Sequence, residues 1–172
     1  TYTEALIHHA KGRPVLQCCR SFGRVPFLKT AFPGTHILLW RDPISQWLSY
    51  QINDYFDITS LSILNAINPP EVIRLLRYNI GLNEVRAENF YEEYSALLKF
   101  PMDSKQRYQI FFALWLYHMI HNFPLCDMDL NVDQLTQDPE YTEYKKDEVN
   151  KLGISAVNIT QCMMPATVLS KT

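Results

Sequence analysis

Arg41, Ser45 and Ser49 are the residues of this 172-residue chain whose types and spacing point most directly to chemistry. An arginine carries a full positive charge on a planar fork of N–H donors, which suits a phosphate or a similar oxyanion. Ser45 and Ser49 stand four positions apart, so on a helix both hydroxyls lie on one face, in reach of the same anion. The chemistry indicated is oxyanion binding.

The stretch Thr35 to Tyr50 contains the elements that must position these groups. His36 to Trp40 is a short apolar run without polar alternation, as expected of a strand buried on both faces of a parallel sheet. Asp42 then suits an N-cap and Pro43 a first helical residue, which predicts a helix from Ile44 to about residue 54. Ligands of open α/β sheets gather at the carboxyl ends of strands. A helix that starts there offers unpaired N–H groups and partial positive charge to an anion.

Arg41-Asp42-Pro43 followed by Ser49, directly after a hydrophobic strand, resembles the 3′-phosphate-binding motif of sulfotransferases that use 3′-phosphoadenosine 5′-phosphosulfate (PAPS). The resemblance implies that Arg41 and Ser49 hold the 3′-phosphate of the nucleotide. It extends upstream, where Arg13 to Leu16 is similar to the preceding strand and Phe27 to Gly34 to the helix and turn that lead into the motif. Downstream, Asn131 to Pro139 and the helix closing on Leu152-Gly153-Ile154 are similar to a later strand, loop and helix. Residues 55 to 125 match only in helical character.

That family has an α/β fold like that of P-loop nucleotide kinases, a three-layer parallel sheet flanked by helices. The expectation for this chain is part of such a fold. One truncated domain would have a sheet-containing core at 1–56 and 126–154 and a helical insertion at 57–125. The implied activity is transfer of a sulfuryl group from PAPS to an acceptor hydroxyl or amine, with no metal. The acceptor, whether carbohydrate, lipid or small molecule, is not legible.

Two departures matter. The positions comparable to the end of the preceding strand hold Gln17, Cys18, Cys19 and Arg20, without the catalytic histidine of many relatives, so the catalytic base is unassigned. In other branches a glutamate earlier in the chain fills that role, and it would precede Thr1. The loop of Gly, Lys, Ser and Thr that grips the phosphosulfate is also absent, as is any GxxxxGK[ST]. Either the phosphosulfate-binding half lies in a longer parent, or the chain is a degenerate relative. Truncation is the preferred reading, with this chain alone inactive. The alternatives are a kinase-like enzyme using ATP and a non-catalytic helical module that binds a protein.

Length and composition suit one globular domain: 47% of residues are apolar and 13% aromatic. A net charge of −2 gives no general attraction to nucleic acid or to an anionic membrane. The longest apolar run, Ile110 to Tyr117, is far short of the roughly 20 residues that span a bilayer. Cys18, Cys19, Cys126 and Cys162 show no CxxC spacing and read as free thiols of a reducing, cytoplasmic compartment. A Golgi enzyme would need an anchor outside this chain, and only in such a lumen would the sequon at Asn158 count.

Other chemistry-bearing residues read as structural. His8 and His9 belong to a surface helix within 1–11. His118 and His121, with Cys126 nearby, lack a recognised metal spacing. Glu84, Glu88, Glu92 and Glu93 fall on the solvated face of a helix expected over 83–99. Tyr108, Phe111, Phe112, Trp115 and Tyr117 are expected in the core beneath a helix over 105–122. Strands are expected at 15–19 and 128–135, and helices at 22–32, 61–67, 71–80 and 140–152.

Overall fold

The computed structural model describes residues 2–17, 22–51 and 55–154. They form two compact units, one of residues 2–40 and 118–154, the other of residues 41–117. The chain is mixed α/β and mostly helical, with one small parallel sheet among the described residues.

In the first unit, α1 (Tyr2–His8) and α2 (Val25–Ala31) precede β1 (Ile37–Trp40), which pairs in parallel with β2 (Met128–Asn131). The register sets Ile37 against Met128 and Trp40 against Asn131. Pro26 is tolerated because it falls in the first turn of α2, where its missing N–H has no partner to lose. A compact core of Met128, Leu130, Leu135 and Val149 packs with Ile37, Tyr141 and Leu152.

The amino end of the sheet is pinned by Asp127. One of its oxygens accepts from Lys29 Nζ at 2.6 Å and the other from the His36 backbone N–H at 2.7 Å. These bonds, the lysine's first, hold the Asp127 carboxyl below the ordinary carboxylate range. A depressed native pKa means stability that is present above the unfolded value, about 3.9, and lost as pH falls through the lower native value. Lys29→Met is therefore expected to flatten the acid limb of a stability-against-pH curve read from urea midpoints. An unchanged limb would remove Asp127 from the account.

β1 and β2 depart from expectation in two ways. The non-alternating run of β1 predicts cover on both faces, yet only Leu38 is buried and Leu39 is 57% exposed. β2 ends at Asn131 rather than Leu135, because the Asn131 side chain accepts from the N–H groups of Asp133 and Gln134 and starts α8 (Val132–Gln137) at once. Residues 15–17 of the expected strand at 15–19 are not a strand, and Val15 is 80% exposed. A short apolar run without a ladder partner has no backbone bonds to hold it extended. Cys18, Cys19 and Arg20 lie outside the described residues.

α9 (Pro139–Lys151) starts as read from sequence, with the Asp138 carboxylate accepting from Glu140 and Tyr141 N–H, and ends at Gly153, whose φ is +71°. Its charges are not all solvated. Lys145 is buried against Asp129 at 3.1 Å and Glu148 at 2.9 Å, and Trp40 Nε1 donates to the other Asp129 oxygen at 2.8 Å. Burial alone would push the Lys145 ammonium down, but the bonds to Glu148 and Asp129 hold it above its ordinary value.

The second unit contains α3 (Pro43–Tyr50), α4 (Tyr55–Leu64), α5 (Glu71–Asn79), α6 (Phe90–Leu97) and most of α7 (Ser104–His121). Its core includes Ile58, Leu61, Leu64, Ile73, Leu97, Ile110 and Leu114. α5 stops at Gly81, whose φ of +72° suits only a residue without Cβ. α4 begins six residues before the expected helix at 61–67, so Asp57 and Ser60 lie inside it as buried polar residues.

The helix expected over 83–99 forms only as α6. Asn65, buried, accepts from Val85 N–H at 2.8 Å and donates to Val85 C=O at 3.0 Å, so residue 85 is clipped outside any helix. Asn89 then caps α6 through Glu92 N–H. Glu84 and Glu88 accordingly lie before the helix, and Glu93 accepts from Asn65 Nδ2 rather than facing only solvent. On α7, Phe111 is buried as expected. Tyr108, 43% exposed, stacks on Phe112, which stacks on Trp115, so these rings line a half-open side of the helix.

Candidate functional site

α3 begins two residues after β1 ends. Asp42 is extended, at φ −60° and ψ 151°, and its Oδ1 accepts from Ile44 N–H at 2.9 Å and Ser45 N–H at 3.0 Å. Pro43 has no N–H, and the Gln46 N–H bonds the Asp42 carbonyl. The free N–H groups expected at this helix start are thus engaged by the chain's own carboxylate. Any bound anion falls to side chains.

Those side chains meet. Arg41 Nη1 donates to Ser49 Oγ at 2.8 Å across eight residues, two turns along α3, and both residues are half-buried. The guanidinium supplies this bond through one arm of its planar fork. By accepting from Arg41, the Ser49 oxygen directs its own O–H away from the cation, as a donor suited to an anionic oxygen. Ser45 lies on the same helical face, half-buried. An arginine fork beside a hydroxyl is chemically suited to an oxyanion. A neutral carbonyl would gain far less from the charge.

Two surface hollows of about 650 and 320 Å³ lie in the second unit, the first lined by residues that include Gly81 and Met102, the second by Leu76, Tyr108 and Phe112. Neither is lined by Arg41 or Ser49.

The remaining candidates do not come together. Among the described residues no three His, Cys, Asp or Glu side chains are grouped as a metal requires. His118 Nδ1 lies 3.0 Å from Asn122 Nδ2, and burial lowers its pKa. The Cys126 thiol donates to the Asn122 carbonyl at 3.6 Å and is pushed up by burial, the opposite of an activated nucleophile. His8 and His9 are exposed. Cys162 and the Asn158 sequon lie outside the described residues. No described helix is long and apolar enough to cross a membrane.

Sequence reasoning missed a buried polar cluster behind α3. Arg107 Nη2 pairs with Asp57 Oδ2 at 2.8 Å, and Tyr50 Oη lies 3.0 Å from Ser60 Oγ. Burial, together with the nearby Asp57 carboxylate, raises the Tyr50 phenol well above its ordinary pKa. Fifty residues separate the members of the ion pair, so no spacing rule brings them together. No protein-family model, curated protein or solved structure matches this chain.

Proposed function

We propose that this chain carries the 3′-phosphate-binding part of a PAPS-dependent sulfotransferase. The observation that carries the reading is the Arg41–Ser49 hydrogen bond, which unites the two residues that the motif singles out. Also in support, β1 ends directly before Arg41 in the chain, and α3 has an aspartate N-cap and a proline at its first position. Arg41 and Ser49 would bind and orient the nucleotide through its 3′-phosphate, remote from the bond that breaks.

In the intact reaction the S–O bond to the 5′-phosphate breaks and a new bond forms from sulfur to the acceptor oxygen or nitrogen. The acceptor proton passes to a base that this chain does not identify. Such transfers depend on positioning and on charge stabilisation at the leaving phosphate, by analogy with phosphoryl transfer. The groups that grip the phosphosulfate are assigned to a longer parent with a P-loop-like three-layer sheet, and the chain alone is taken as inactive. Among the described residues the parallel sheet has two strands, and Leu39 on β1 is 57% exposed. The half-buried free thiol of Cys126 accords with a reducing, cytoplasmic setting.

Calorimetric titration with three nucleotides tests the proposal. Adenosine 3′,5′-bisphosphate is expected to bind at least about tenfold more tightly than adenosine 5′-phosphate, the weight of a charge-assisted contact to the 3′-group. ATP binding as tightly as the bisphosphate would favour the kinase-like reading instead. Binding of none of the three would leave the helical region as an interaction module.

A further inference from the structure

The Arg41–Ser49 contact depends on how α3 is rotated about its own axis, and one residue is placed to set that rotation. At about 100° per residue, Ser45 and Ser49 share one face, while Trp47 and Tyr50 lie on nearly the opposite one. The Trp47 and Tyr50 face is the anchored one. Trp47 stacks on Tyr50 at 5.5 Å and meets Tyr108 edge-on at 5.2 Å, and Tyr50 also packs on Phe111 of α7 and Phe56 of α4.

Ring contacts are tolerant of small rotations, whereas a hydrogen bond is not. On this face Tyr50 Oη lies 3.0 Å from Ser60 Oγ, and the same hydroxyl also interacts with the Asp57 carboxylate. Ser60 is itself buried on α4, one turn from Asp57, which the ion pair with Arg107 holds in place. With Cα atoms on a cylinder of about 2.3 Å radius and the serine oxygen further out, a roll of about 15° swings that oxygen by roughly 1 Å. That takes a 2.8 Å bond out of range.

We infer that Tyr50 is a positioning residue for the anion site, acting through Ser60 to fix the roll of α3 and so hold Ser49 against Arg41. The inference rests on the functional reading above and adds a residue that touches no ligand. Tyr50→Phe keeps the rings and removes the directional bond, and Ser60→Ala removes it from the other side.

The readout is the ratio of affinities for adenosine 3′,5′-bisphosphate and adenosine 5′-phosphate, which cancels losses common to both ligands. Each variant is expected to lower that ratio about fivefold, the weight of one ordinary hydrogen bond. The effect should disappear in a Ser49→Ala background, because a residue that acts through Ser49 has nothing left to position. If Tyr50→Phe fails to fold, Ser60→Ala alone makes the measurement. A ratio unchanged in the foldable variants while Ser49→Ala collapses it overturns the inference and leaves the functional reading intact. A wild-type chain with no preference for the 3′-phosphate overturns both.

Discussion

Replacing Arg41 by alanine is expected to weaken binding of adenosine 3′,5′-bisphosphate by about 1.5–3 kcal/mol, roughly ten- to a hundredfold. The loss is large because the guanidinium supplies the formal charge of the Arg41–Ser49 pair, and because Ser49 loses the neighbour that orients its hydroxyl. Arg41→Lys should recover only part of the affinity, since an ammonium keeps the charge without the planar fork. The fold should persist, because Arg41 precedes the helix and Asp42 caps it through its own carboxylate. Titration beside a circular dichroism spectrum checks both halves. A mutant that binds as tightly as wild type would refute the assignment.

Arg107→Ala is expected to cost about 3–5 kcal/mol of stability, as follows when one member of a buried ion pair is removed and the other is left uncompensated. Asp57 is the stranded partner. It is 6% exposed, inside α4, with Ile58 and Leu61 of the core beside it in the chain. Asp57 Oδ1 lacks a hydrogen-bond partner even with the arginine in place. Replacing both residues, as Asp57→Leu with Arg107→Met, should recover most of the loss, because an apolar pair of similar size carries no desolvation cost. Urea midpoints of the single and double variants decide the matter. A single variant within about 1 kcal/mol of wild type would place water at this pair and make it a surface bridge.

These two predictions draw on different levels of information. The elements of the candidate site were legible in sequence because they are local: the cap at Asp42 and the proline at the first helical position follow from backbone geometry alone. The same logic found α9 through Asp138 and Pro139 and ended α5 near Gly81. Where a distant side chain captured the backbone, local logic failed. Asn65 clipped Val85, twenty residues away, and shortened the expected helix to α6.

By itself, then, the sequence determined that a short strand is followed by Arg41 and then by a capped helix that carries Ser49, since hydrogen-bond periodicity and capping act over one or two turns. Only the tertiary structure decided that the helix's own N–H groups are taken by Asp42, that Arg41 donates to Ser49, and that Tyr50, Ser60, Asp57 and Arg107 meet behind them. The physical reason is that a buried charge or hydroxyl needs a partner from wherever the fold brings one, and sequence distance places no limit on the choice.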